Sequence, residues 1–376
     1  MKSSLRILAG AAAAAITAAG VLFGTAFATA SAASKPGVPA SVTAALAKAQ
    51  KLPRAVAPGP AFDAKKAKGK TVWVVGVSTT VPILELQNQL MQSALALVGV
   101  KQLVASTDGS PGSWVTAINA AIAHNAAAIV LEGTNPSLIK PQLQKAQAAK
   151  IPVIYDFANP GPVSKVAPFT NATVSLPFPQ GGVTMADEAI AETGGHANIE
   201  LIGLNTQPQN SVYQNAIERE LKLKCPACKI AGYLNAPIAD WSSTMTSEIV
   251  NLLHRNPSIN VLMAYYDGLV QFVVPGVTQA GDSGHVTVVT HDGTPSILDN
   301  ISSGNVVVGD VGISNAWQAW ATADQTLRLL TGTKPVANEG IPGRLWTKSD
   351  IANSQGTNAG YGSAFMTMYK KLWRVS

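Results

Sequence analysis

From Thr71 onward the chain alternates short β-rich runs with longer stretches of helical period, and it does so in two successive series. A strand followed by a helix and then another strand makes a βαβ unit, and repeated units build a parallel sheet with helices on its faces. The first series is VWVVGVS (72–78), KQLVAS (101–106), AAIVLEG (127–133) and IPVIYDF (151–157), with helices expected over 84–98, 114–124 and 137–149. The unbroken apolarity of 72–78 points to a strand buried on both faces. After an irregular, proline-dotted stretch the rhythm restarts with a helix over 179–193 and strands at 198–204, 229–235, 259–266, 285–291 and 305–311. Helices are expected between those strands at 209–223, 242–255, 268–280 and 296–302, and a long one closes the series at 315–330. The fold class is therefore α/β, with two doubly wound parallel-sheet lobes.

The N-terminus says where such a chain works. Lys2 and Arg6 precede an unbroken run of small and apolar residues from Ile7 to Phe27, and Ala30-Ser31-Ala32 has the small-x-small pattern of a signal-peptidase site. Residues 1–32 read as a signal peptide, with an uncleaved anchor as the alternative, since the run is long enough to span a bilayer. Either way the remainder is exported and extracytoplasmic. No cysteine lies near the cut, so the protein is not expected to be a lipoprotein. The 344 residues that follow suit two lobes better than one core.

The net charge of +6 is of the sign a nucleic-acid binder needs, but its distribution argues against one. Residues 33–70 hold eight basic side chains and one acidic, whereas 71–376 carry 17 basic and 20 acidic. A mildly acidic globular part lacks the footprint of a DNA or RNA partner. The Ala-, Lys- and Pro-rich stretch 33–69 reads as a flexible spacer, with one helical stretch over 41–51.

Ligands of parallel sheets gather beyond the carboxyl ends of the strands, so polar and aromatic residues just after the strands are the candidates. The expected ligand-binding set is Thr80, Ile83, Asp156, Gln207, Asn210, Trp241, Tyr265, Tyr266, Asp292 and Asp310. Asp267 reads as the cap of the helix that begins there. Carboxylates and amides that satisfy several hydroxyls, with flat aromatics against C–H faces, are the chemistry of a sugar site.

Cys225 and Cys228 are the only cysteines, and in an exported chain such a close pair reads as a disulfide stapling the corner between a helix and a strand. The five histidines have no metal-ligand spacing, and no metal or other cofactor is expected. No Gly-x-Ser-x-Gly or Walker-type loop occurs, and the chain is not expected to be an enzyme.

The segments IPVIYDF, DWSSTMTSEIVNLLHRNPSINVLMAYYDG and THDGTPSILDNISSGNVVVGDVG resemble the ribose-binding-like and LacI-like type I periplasmic binding proteins, over about Lys70 to Leu330. The resemblance implies a solute-binding protein that captures a sugar or sugar-like molecule in an interlobe cleft and delivers it to the membrane permease of an ABC importer. It matches Asp292 to the aspartate of the family's DGTP turn, which bonds ligand hydroxyls, Trp241 to a sugar-stacking aromatic, and Tyr266 to a polar strand-end position. Ile83 and Leu84 stand where the family has aromatics, and Asp156-Phe157-Ala158 replaces an Asp-Arg pair. These departures argue against a plain pentose or hexose. Three crossings join the lobes in that family, implying one lobe of 70–174 plus 313–339 and another of 175–312 plus 340–376. A monomer is expected. A transcription repressor of this fold would begin with a DNA-reading helix-turn-helix in place of an export signal. A sensor that shows its ligand to a membrane receptor, and an extracytoplasmic hydrolase, are the other readings.

Overall fold

Strands β1 (Thr71–Gly76), β2 (Lys101–Val104), β3 (Ala128–Glu132), β4 (Val153–Ala158) and β5 (Ala172–Ser175) form a parallel sheet in the order β2-β1-β3-β4-β5. The computed structural model describes residues 36–351 and 360–375; the expected signal segment lies outside the described residues. Strands β6 (Asn198–Gly203), β7 (Lys229–Asn235), β8 (Val261–Ala264), β9 (Thr287–Asp292), β10 (Val307–Ile313) and β11 (Gly343–Thr347) form the second sheet, ordered β11-β10-β9-β8-β6-β7. All its pairings are parallel except β10 with β11. Every residue of β3, β4 and β8 is buried, as strands covered on both faces by helices must be.

The helices are α1 (Ala40–Ala49), α2 (Pro82–Ala96), α3 (Pro111–Ala123), α4 (Lys140–Ala148), α5 (Val163–Val166) and α6 (Phe178–Glu192). They continue as α7 (Gln209–Lys224), α8 (Met245–Arg255), α9 (Asp267–Ala280), α10 (Pro295–Ser303), α11 (Asn315–Leu330) and α12 (Ala364–Trp373). Local chemistry sets several of their ends. The Ser110 hydroxyl accepts from the Ser113 N–H (3.2 Å) and Pro111 opens α3. The Ser314 hydroxyl accepts from the Trp317 N–H at the start of α11 (3.2 Å), and α9 stops at Gly281 in the left-handed conformation. Cys225 and Cys228 are joined at the corner between α7 and β7. No helix of the described residues is long and apolar enough to cross a membrane.

The chain passes between the two lobes three times within the repeated βα region and its continuation: after β5, after β10, and between α11 and β11. Helix α11 packs on α2 and on β3, β4 and β5, which assigns it to the first lobe. Strands β5 and β11 and helices α5 and α12 were not expected from the sequence.

The stretch expected to be a flexible spacer is instead laid across both lobes. Helix α1 packs on α6 and β11 of the second lobe, with Val42 fully buried, and the Arg344 Nε donates to the Gln50 carbonyl (2.8 Å). The chain then crosses to the first lobe, where Phe62, Ala64 and Ala67 are buried and the Phe62 N–H donates to the Leu372 carbonyl (2.8 Å). The segment 340–376 also divides: β11 joins the second sheet, whereas α12 lies on α11, with Trp317 stacked on Phe365 and Trp320 on Trp373. Beneath that stack Arg328, wholly buried, donates through Nε to Asp324 (2.5 Å). The Trp373 Nε1 donates to the other Asp324 oxygen (2.7 Å), and the guanidinium sits 4.6 Å from the Phe62 ring centre. A buried ion pair is costly unless its remaining polar atoms are also engaged. The N-terminal segment supplies the Pro60 carbonyl to Arg328 Nη2 (3.3 Å) and α12 supplies Trp373 to Asp324, while Arg328 Nη1 is left without a partner among the described residues.

Candidate ligand-binding cleft

The carboxyl ends of both sheets face each other across a cavity of about 50 Å³ lined by Val77, Val81, Ile83, Leu84, Gly133 and Phe157 of the first lobe. The second lobe contributes Leu204, Gln207, Gln209, Ile238, Trp241, Tyr266, Gly268 and Asp292. The rim is closed by contacts between the lobes. Asn135 Nδ2 donates to the Thr206 carbonyl (2.8 Å), and Gly109 lies beside Ile238, where a Cβ would make ordinary contact at 3.5 Å with the Ile238 Cβ.

Two loops of the second lobe are tied together at the cleft by an exchange of carboxylates. Asp292 ends β9, and its Oδ2 accepts from the N–H of Asp267, the first residue of α9 (3.2 Å). Asp267 in turn accepts from the Thr294 N–H at the start of α10 (2.6 Å) and from the Thr290 hydroxyl (2.9 Å). Asp267 therefore caps the neighbouring helix, and Asp292 serves its own; the sequence expectation that Asp267 caps α9 is corrected. Gly293 closes the turn with φ +76°, and a Cβ there would approach the Gly312 Cα to 2.7 Å, so only glycine fits. Its N–H donates to Asp310 Oδ1 (3.1 Å), and the Asp310 carboxyl also meets that of Asp267.

Burial dominates the electrostatics here. It pushes the Asp267 carboxyl up to about 7, with the nearby Asp292 charge adding to the effect. Burial likewise raises Asp292 and Asp310 well above the usual carboxylate range, and lowers His291 to about 4. Neutral carboxyls can both donate and accept, which suits hydroxyl-bearing ligands. The His291 Nδ1 lies 2.9 Å from the Tyr213 hydroxyl and 3.2 Å from Asp292 Oδ1.

Of the residues expected at the site, Ile83, Gln207, Trp241, Tyr266 and Asp292 line the cavity. The Trp241 Nε1 donates to the Ala236 carbonyl (2.7 Å), and its ring rests on α9 where a Cβ at Gly268 would come within 2.6 Å of it. Gln207 Oε1 has no partner. The Tyr266 hydroxyl donates to Asn210 Oδ1 and the Asn210 Nδ2 to the Tyr233 hydroxyl, both at 2.7 Å, so Asn210 orients Tyr266 without lining the cavity.

The others are placed elsewhere. Tyr265 is wholly buried and stacks on Tyr213. Thr80 is exposed, its hydroxyl 2.9 Å from that of Ser78. Asp156 points into its own lobe, accepting from the Thr322 hydroxyl (2.7 Å), Gln318 Nε2 (2.9 Å), Gln87 Nε2 (3.2 Å) and the Phe157 N–H (2.6 Å). It binds α2 and α11 to the end of β4, and burial raises it to about 6. Asp310 stands behind Asp292, outside the lining. Phe157, held at φ +59°, and Gln209, whose Oε1 has no partner, were missed. Both follow the strand-end rule, but polarity after a strand does not pick out an apolar ring such as Phe157. Among the described residues no cluster of three or more His, Cys, Asp or Glu could hold a metal.

The sequence profile of the periplasmic binding protein domain matches residues 72–334. No curated protein matches the chain significantly by sequence. Among solved structures, the chain is similar to a 5-methylthioribose transporter solute-binding protein from Thermotoga lettingae, solved with 5-methylthioribose, at TM-score 0.69 and 16% identity over 82% of this chain and 95% of that one. It is similar to an Agrobacterium vitis ABC transporter solute-binding protein bound with α-D-tagatopyranose, at TM-score 0.69 and 18% identity over 76% and 96% of the two chains. A second Agrobacterium vitis solute-binding protein, with bound allitol, matches at TM-score 0.68 and 19% identity over 76% and 98%.

Proposed function

Since the chain belongs to the periplasmic binding protein domain family, we propose that it is an exported solute-binding protein that captures one sugar or sugar-like molecule for an ABC importer. The observation that carries the reading is the interlobe cavity, where the Asp292 carboxyl, Gln207, Gln209 and the aromatic side chains of Trp241 and Tyr266 converge. The solved relatives bound with sugars and polyols support the ligand class. Export follows from the N-terminal signal pattern, and the absence of cysteine near its cut argues for a protein without a lipid anchor. The protein acts as a monomer without a cofactor and without turnover, its partner being a membrane permease.

The mechanism is closure. A cavity of about 50 Å³ is far below the roughly 300–1,000 Å³ of small-molecule sites, so the lobes part to admit ligand and, when they close on it, stand further apart than they do here. Ligand that bridges both lobes favours the closed form, and that form is what the permease reads. The test is calorimetry of the purified chain against sugars and polyols, with X-ray scattering for compaction. We expect one saturable site and a smaller radius of gyration on binding. In Asp292→Asn, loss of a charge-assisted or carboxyl hydrogen bond should weaken binding by roughly 10- to 100-fold. Absence of any binder together with unchanged scattering would remove the capture reading.

A further inference from the structure

The two walls of the cavity differ in kind. Every side chain that the first lobe presents to it is apolar: Val77, Val81, Ile83, Leu84 and Phe157. The polar groups all belong to the second lobe, in Gln207, Gln209, Tyr266 and Asp292. Polar residues do stand at the strand ends of the first lobe, but several are engaged within it. Asp156 accepts four hydrogen bonds there, the Thr107 hydroxyl donates to the Gly76 carbonyl (2.8 Å), and Asn88 Nδ2 donates to Glu132 (2.9 Å).

A free monosaccharide carries hydroxyls around its whole edge. Enclosed between these walls it would satisfy those facing Asp292 and the two glutamines and bury the rest against hydrocarbon. Each hydroxyl left unpaired weakens binding by roughly 5- to 150-fold. Resting on the capture reading above, we infer that the ligand is amphipathic: a sugar, polyol or related compound with hydroxyls on one edge and an aryl, alkyl or thioether group on the other. The hydroxylated edge meets Asp292, Gln207 and Gln209. The apolar group fills the first-lobe wall between Phe157 and Ile83, and Trp241 and Tyr266 flank the ring from the second lobe.

The test compares parents with their apolar derivatives: D-glucose, D-galactose and D-ribose against phenyl β-D-glucoside, phenyl β-D-galactoside and 5-methylthioribose, by calorimetry on the whole mature chain. At least one derivative should bind ten times more tightly than its parent. Phe157→Asn should then narrow that ratio to below threefold by improving the parent, because asparagine tolerates the left-handed backbone at this position and offers an amide to the hydroxyls. Ile83→Asn makes the same change on α2, and the same narrowing is expected, so a folding defect in one variant leaves the other as a test. Parents that bind as tightly as their derivatives overturn the amphipathic ligand while the capture reading stands. No binding by either set, with scattering unchanged, overturns both.

Discussion

Asn135 is the residue whose alteration separates closure from ligand contact, because it joins the lobes at the rim and does not line the cavity. Its side chain does two things: Nδ2 donates to the Thr206 carbonyl across the cleft (2.8 Å), and Oδ1 accepts from the Ser137 N–H within its own lobe (3.0 Å). Asn135→Asp keeps the second and abolishes the first. A neutral hydrogen bond of this kind contributes about 0.5–1.5 kcal/mol net, so the ratio of closed to open molecules should fall roughly 2- to 12-fold. The carboxylate left facing a carbonyl places the expectation in the upper half of that range. Affinity should fall in proportion if ligand is held by the closed form. Single-molecule energy transfer would read the ratio directly, with one dye at Lys145→Cys on α4 and the other at Gln279→Cys on α9, both exposed positions. The described residues include no free cysteine to compete for label. A closed fraction equal to that of the parent protein, with affinity unchanged within twofold, would show that this contact does not hold the lobes together.

Two other expectations concern stability. Burial raises Asp267 to about 7 and Asp292 and Asp310 well above their ordinary values, so the native state holds protons that the unfolded chain releases near pH 4. For Asp267 the contribution is full below that pH and is lost as pH rises through about 7, with a slope of up to about 1.4 kcal/mol per pH unit. Urea unfolding at pH 5 and 7.5 should show Asp267→Asn losing less stability over this interval than the parent; parallel losses would contradict the assignment. The Cys225–Cys228 bond closes a loop between residues three apart, so replacing both by serine should cost at most about 2 kcal/mol and leave affinity within twofold of the parent. A larger loss in chemical denaturation would give the bond a role beyond that corner.

Much of the architecture is legible because period and burial are local properties. The runs at 153–158 and 261–264 are buried on both faces and rich in β-branched and other apolar residues, as a parallel strand covered by helices requires. Strand β5 and helix α12 escaped because four residues after a proline-dotted stretch, and a short helix in the tail, carry little periodic signal. The stretch 36–69 was misjudged for a different reason. Its Ala and Pro composition cannot build a core of its own, yet Val42, Ala64 and Ala67 need only a surface to lie on. At the site, position after a strand found Asp292, Gln207 and Tyr266, but it could not tell which way a side chain turns. Asp156 meets Gln318 and Thr322 from a helix more than 150 residues away, a pairing that exists only once the lobe is assembled. The apolar wall carries no comparable signal in the sequence, because Val77, Val81 and Leu84 have the same composition as the buried strands and helices around them.

The segments that embrace Arg328 mark a difference between the stretch that the family profile matches and the stretch that this chain requires to stand alone. The family profile matches 72 to 334, but Pro60, Phe62 and Trp373, which pack around the Asp324–Arg328 pair, lie outside that match, as does β11 on the edge of the second sheet. A fragment trimmed to the region of similarity would retain every residue that lines the cavity. It would also present a wet ion pair, two bare tryptophans on α11 and an unpaired strand β10, the last an invitation to edge-to-edge association. For this protein, the stretch that the family profile matches and the unit that a laboratory should express have different ends.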